Sequence, residues 1–228
     1  MLVQPRALIL SALLALLALP PVPAAAHPHV YIDSELELIY DATGRLSAVA
    51  VEWSYDELYS LLIVTDLGLD PDGDGVLDDH ERTRLQGFDA DWEPDFDGRL
   101  YLTTDQGPVE LLGPRSFEAV YRDGRIVSRH LRPLSSPLPA DAALQLQTYD
   151  PEFYVDFTLH GPPRFLGRDD CRAALDQGDP DAARAAYRAA LDTALLGATD
   201  DSEAELVTVD IGGAGAGALN VICGAAPG

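Results

Sequence analysis

Apolar and polar residues alternate at period two through "HVYIDSELELIY" and again through "RLSAVAVEWSY", with the turn residues "DATG" between them. Successive side chains of a strand point to opposite faces, so this alternation marks a half-buried strand. Residues 29–40 and 45–54 are therefore predicted to form a β-hairpin. The period then changes. In "SYDELYSLLIVTDLGL", Leu58, Leu61, Leu62 and Thr65 recur at helical spacing, behind Ser54 as N-cap and Glu57 three residues later. A second short helix is predicted over "HERTRLQGF". Further strands are expected at 99–104, 108–113, 115–122, 125–133, 143–149 and 153–159, parted by "TDQG", "RDG" and proline-bearing turns. In "DPDAARAAYRAALDTALL" Asp179 is a natural N-cap and Pro180 suits the first helical position. "AELVTVDI" and "ALNVICG" complete the chain as strands, joined by "GGAGAGA", a flexible connector by composition.

The loop between the first two helices carries the sharpest motif. "DPDGDGVLDDHE" fits the calcium-loop pattern D-x-[DN]-x-[DN]-G-x5-E at every specified place. Asp70, Asp72 and Asp74 fill positions 1, 3 and 5, and Gly75 takes the sharp turn. Val76 would offer its carbonyl, Asp78 would act directly or through water, and Glu81 would close the shell. A hard cation wants six to eight oxygens, and only a tightly turning loop lets neighbouring side chains converge on one point. No second loop of this form follows, so the expected role of calcium is structural. The fold class is then α+β: a mainly antiparallel β domain with a helix–EF-hand-like loop–helix insertion at about 55–90 and a C-terminal helix.

Residues 1–26 change the picture of where the chain works. Arg6, an apolar run and "PPVPAAA" have the layout of a signal peptide ending in an A-x-A site. The run is about 13 residues, short of the roughly 20 that a spanning helix needs, so no stable membrane insertion is expected. Cleavage after Ala26 would leave a single periplasmic domain, 27–228. Cys171 and Cys223 are then expected to form a disulfide, stabilising by roughly 4 kcal/mol for a loop of about 50 residues. All 15 basic residues are arginine, against 38 acidic ones, and the net charge of −23 excludes nucleic acid as a partner.

Cleavage there would give His27 both an imidazole and a free α-amine, with His29 on the same side of an extended chain. Such a pair suits zinc, copper or nickel. Pro28 has no N–H, which blocks the square-planar site that uses deprotonated amides at positions 2 and 3. The remaining ligands must come from elsewhere, with Asp33, Asp56, Glu57 and Asp150 as candidates. His80, His130 and His160 are expected to be surface or ordinarily hydrogen-bonded residues.

"HPHVYID", "VEWSYDELYS", "DPDGDGVLDDHE" and "YDPEFYVDF", in that order, resemble a family of exported bacterial proteins of unknown function, formerly labelled periplasmic components of ABC-type transport. Its members accompany nickel/cobalt-type permeases and include Zev-type zinc-uptake accessory proteins. The resemblance covers roughly residues 27–160. It implies a non-enzymatic periplasmic protein that binds a divalent transition metal, zinc first, through His27 and His29 and delivers it to an inner-membrane permease. Two other readings stay open. One is a calcium-stabilised interaction module with no transition-metal role. The other is a copper oxidoreductase built on an N-terminal histidine brace, although no G-x-S-x-G, H-E-x-x-H or nucleophilic cysteine is present.

Overall fold

A computed structural model describes residues 28–93, 96–197 and 208–224. The predicted signal peptide, its cleavage site and His27 lie outside the described residues. The hairpin forms as the alternation requires. β1 (Val30–Tyr40) and β2 (Leu46–Tyr55) pair antiparallel, with Leu36 opposite Val51 and Leu38 opposite Val49. The "DATG" turn closes on Asp41, whose carboxylate accepts from the N–H groups of Thr43 (2.8 Å) and Arg45 (3.1 Å).

Around this hairpin two sheets are built. The first has the order β5 (Arg115–Arg122), β6 (Arg125–Leu138), β2, β1, β8 (Val155–Leu159). β8 and the short β9 (Arg164–Leu166) both run parallel to β1 and share its one free edge. "GPP" at 161–163 separates them, because two consecutive prolines cannot donate to the ladder. The second sheet has the order β10 (Arg172–Asp176), β11 (Ala218–Ile222), β7 (Leu144–Thr148), β3 (Leu100–Thr104), β4 (Gly107–Val109). Leu36, Leu38, Val49 and Val51 of the first sheet share one apolar cluster with Leu102, Leu146 and Leu219 of the second. The architecture is α+β with mostly antiparallel sheets. β9 and β10 were not foreseen, since three to five residues of mixed polarity carry little periodic signal. "AELVTVDI" falls mostly outside the described residues, and its last residues, from Thr208 on, are not strand.

The outward face of the first sheet is a ladder of charge. Asp33 pairs with Arg125 (2.9 Å), Glu35 with Arg164 (3.4 Å), and Glu37 with both Arg129 and Arg164. The Arg164 pairs join adjacent strands β1 and β9, and the Arg125 and Arg129 pairs reach from β6 across β2 to β1, each supporting the register by a few tenths of a kcal/mol.

Between β2 and β3, α1 (Glu57–Asp66) and α2 (Asp79–Leu85) flank the acidic loop. The N-cap of α1 is Asp56, not Ser54: its carboxylate takes the N–H of Tyr59 at 2.9 Å while its other oxygen takes Tyr31 N–H, also at 2.9 Å. Ser54 is still paired in β2. The face that α1 buries is also different from the leucine stripe. Ser60 and Val64 are buried, and Ser60 Oγ receives the N–H of Ile126 on β6 at 2.9 Å. Leu58, Leu61 and Leu62 face outward, each more than half exposed. The helix ends in a Schellman motif on Gly68 (φ +59°), with Leu69 N–H on Val64 C=O and Gly68 N–H on Thr65 C=O.

α3 (Pro180–Gly197) starts as expected, with Asp179 accepting from Asp181 and Ala182 N–H. The glycine run before β11 is not a loose connector. A Cβ on Gly215 would stand 2.4 Å from Asp179 O and 2.6 Å from Ala183 N. Asp179 N–H binds Gly215 C=O at 2.9 Å. Those glycines let the backbone pack against the start of α3. Cys171 and Cys223 are disulfide-bonded, just before β10 and just after β11. That bond fits export to an oxidising compartment. Among the described residues no helix is long and apolar enough to cross a membrane.

Candidate metal centre

Three of the predicted loop ligands converge. Carboxylate oxygens of Asp70, Asp72 and Asp74 lie within 4.8 Å of one another. The backbone arranges this. Asp70 adopts φ +51° and its two oxygens accept the N–H groups of Asp74 (3.0 Å) and Gly75 (3.1 Å), while Asp74 accepts from Val76 N–H (2.8 Å). Gly73 and Gly75 take left-handed angles of +70° and +79° that fold the loop back. Three like charges this close repel, and a divalent cation between them reverses the sign of the interaction. The donor set, all oxygen, fits calcium.

Asp78 and Glu81 fall outside that triplet. They form the capping box of α2, each accepting the other's backbone N–H at 2.8 Å. The second oxygen of Glu81 takes Asp70 N–H at 3.0 Å, so Glu81 ties the loop's first residue to its last. Val76 points its side chain to solvent. Leu69, Leu77 and Leu85 anchor the loop and α2 in the core, and Arg84 donates to the carbonyls of Leu67 and Gly68 just past the end of α1.

The other predicted centre is only partly visible. His29 is exposed, its N–H binds Tyr154 C=O at 2.9 Å, and its ring lies 4.9 Å from that of Tyr154. Three of the four candidate co-ligands have other partners. Asp33 is paired to Arg125, and Asp56 is spent on the cap of α1. Asp150 is buried, paired to Arg99 at 3.1 Å, and accepts the N–H groups of Tyr154 (2.9 Å) and Val155 (3.0 Å). It holds the start of β8 in place. Glu57 sits in the first turn of α1, where its charge complements the helix dipole.

The start of β1 opens instead on a cleft of about 650 Å³, which sequence reasoning missed. Trp53, Tyr55, Tyr59, Trp92, Phe96 and Tyr154 line it, drawn from β2, α1, the stretches 86–93 and 96–99, and the turn before β8. Carboxylates of Asp89, Asp91, Glu93, Asp150 and Glu152 share the lining with one cation, Arg99. Asp89 is half-buried, accepts from Tyr55 Oη at 3.3 Å, and has its carboxyl pushed above the usual range by burial. Burial likewise raises the Tyr59 hydroxyl.

Behind the cleft stands His130, which is not the ordinary hydrogen-bonded residue expected. It is 1% exposed and neither ring nitrogen has a hydrogen-bond partner among the described residues. Trp53 and Trp92 meet it edge-on at 4.7 and 5.2 Å, and Phe117 stacks at 5.8 Å. Burial and the neighbouring Arg132 push its pKa down to about 3. Arg132 lies 5.0 Å over Trp92 and donates to the carbonyls of Leu112 and Asp97. Gly98 (φ +77°) makes room, since a Cβ there would stand 2.0 Å from Arg132 Nη1.

A family profile described as "Protein of unknown function (DUF1007)" matches residues 12–209. The chain belongs to the DUF1007 family. No curated protein matches this DUF1007 chain. Among solved structures, it is similar to acetylcholine-binding protein type 1 of Biomphalaria glabrata, over 97% of this chain and 98% of that one. The identity is 10% and the TM-score 0.34, too loose a likeness to bear on fold or function.

Proposed function

We propose that this protein is an exported, non-enzymatic divalent-metal-binding accessory protein. Calcium in the Asp70–Glu81 loop is its structural ion. Zinc, or another divalent transition metal, is captured at the mature N-terminus by His27 and His29 and handed to an inner-membrane permease of the nickel/cobalt type. The observation that carries this reading is the place where β1 begins. His29 precedes Val30, which lines the cleft, and its ring rests against Tyr154, another lining residue. The lining holds five carboxylates and one arginine, and such a concave acidic surface concentrates cations beside the histidines. The resemblance of "HPHVYID" and "YDPEFYVDF" to permease-associated proteins supplies the partner. Asp33, Asp56 and Asp150 already have partners, so the assignment rests on the imidazoles of His27 and His29 with the α-amine of His27.

The test is native mass spectrometry of the mature exported protein with one equivalent each of calcium and zinc, followed by calorimetry on the His27→Ala/His29→Ala double variant. A start at His27 with both ions bound is expected, and the double variant loses zinc affinity by about 100-fold or more while keeping calcium. Zinc affinity unchanged in the double variant would sink the transition-metal assignment.

A further inference from the structure

We infer that the aromatic cleft beside the N-terminus is a binding site for a small organic cation, a primary alkylammonium ion such as a short diamine. Its size comes first. About 650 Å³ lies within the roughly 300–1,000 Å³ typical of small-molecule pockets.

Its walls come second. Trp53 and Tyr55, only 4% and 6% exposed, form the floor, while Tyr59 and the half-exposed Tyr154 stand nearer solvent. Aromatic faces carry a negative quadrupole that attracts ammonium and guanidinium groups. This part of the molecule already uses that attraction internally. Arg99 lies 5.1 Å from the centre of the Phe96 ring and Arg132 5.0 Å from that of Trp92.

The charge balance comes third. Asp150 is neutralised by Arg99, which leaves Asp89, Asp91, Glu93 and Glu152 with no ion-pair partner among the described residues. Asp89 is the telling one. A half-buried carboxylate served only by hydroxyl and backbone donors, with no cation beside it, is costly to keep charged. A ligand ammonium would supply the missing charge through a charge-assisted hydrogen bond.

Geometry argues against a bare metal ion in the same place. Metal coordination needs three or more ligand atoms converging at short range, and among the described residues only Asp70, Asp72 and Asp74 do so. Dispersed carboxylates over aromatic walls suit instead a cation with a spread-out charge and a hydrocarbon chain to bury. This inference does not depend on the zinc reading.

Trp53 and Trp92 are the two tryptophans of the chain, and both line the cleft, so intrinsic fluorescence reports on it directly. The full mature chain, with calcium present, is titrated with putrescine and with 1,4-butanediol, which keeps the carbon chain and loses both charges. A saturable change in emission with putrescine and none with the diol is expected. Asp89→Asn and Tyr154→Ala each weaken putrescine by about three- to tenfold, with far-UV circular dichroism unchanged. Equal responses to amine and diol, no saturable response up to about 10 mM, or full putrescine affinity in both cleft variants would each overturn the site.

Discussion

The acidic loop and the aromatic cleft sit at opposite ends of α2 and handle negative charge in opposite ways. In the loop, Asp70, Asp72 and Asp74 converge within 4.8 Å on an exposed turn, and backbone N–H groups hold the oxygens of Asp70 and Asp74 in place. Every contributor lies within twelve consecutive residues, 70–81. In the cleft the carboxylates are scattered, one of them is half-buried, and the walls come from residues as distant as Trp53 and Tyr154. The first arrangement matches a small hard ion whose ligands must touch it. The second matches a larger cation that can be held by rings and by a diffuse field. Acidic composition alone does not distinguish the two. What surrounds each carboxylate does.

The sharpest way to break this contrast is through His130, because its environment makes the ground behind the cleft intolerant of ionisation. The unfolded chain protonates this imidazole below about pH 6.5, whereas the native protein keeps it neutral down to about 3. Between those values the unfolded state binds more protons, so native stability falls as pH falls, at up to about 1.4 kcal/mol per pH unit. His130→Leu removes the titration and two unpaired buried nitrogens at similar volume. Urea unfolding should show the parent losing about 2–3 kcal/mol more than the variant between pH 6.5 and 4.5. Parallel acid limbs would mean that the imidazole is hydrated, and that the cleft is not backed by a dry core.

Asp70→Asn tests the other side. Asp70 supplies one of the converging carboxylates, and its oxygens also order the turn at Asp74 and Gly75. An amide still accepts one of those hydrogen bonds but brings no charge. Calcium affinity measured by calorimetry should fall about 100-fold, equivalent to about 2.7 kcal/mol. A loss under threefold would show that the convergence is a turn motif and not an ion site.

The two regions also differed in how well they could be foreseen, for a physical reason. The convergence of the loop carboxylates was legible because Asp70, Asp72, Asp74 and Gly75 stand at fixed local spacing and can be read one after another. The hairpin was legible because alternation survives burial of one face. The leucines of α1 misled, because helical spacing shows that a face exists without showing which face meets the sheet. Ser60, a polar residue, lies on the buried side because Ile126 needs an acceptor there. The cleft left no local signal. Trp53 is an alternating strand residue by pattern, Asp89 belongs to an acidic tract, and Tyr154 follows a turn. Only the pairing of β1 with both β2 and β8 brings their elements together.

The smallest expected effect concerns whether the two regions communicate. Leu85 ends α2 and Asp89 lies four residues further on, so an ion that orders the loop could in principle move the cleft. The contacts between them oppose this. Leu85 is fully buried, and Gln86 is clamped to β5 from both ends of its amide: Nε2 donates to Ala119 C=O at 2.6 Å and Oε1 accepts Ala119 N–H at 3.0 Å. Tyr55, on the rigid β2, then holds Asp89 itself. None of these bonds involves a loop residue, so ordering the loop has no lever on the cleft. Calcium should therefore raise the melting temperature while leaving the emission maximum and acrylamide quenching of Trp53 and Trp92 nearly unchanged. A coupling below about twofold, or roughly 0.4 kcal/mol, is the expected limit. If chelating calcium instead shifts the emission or doubles the quenching, the Gln86 clamp yields when the loop relaxes. The loop and the cleft would then be two halves of one cation-responsive device.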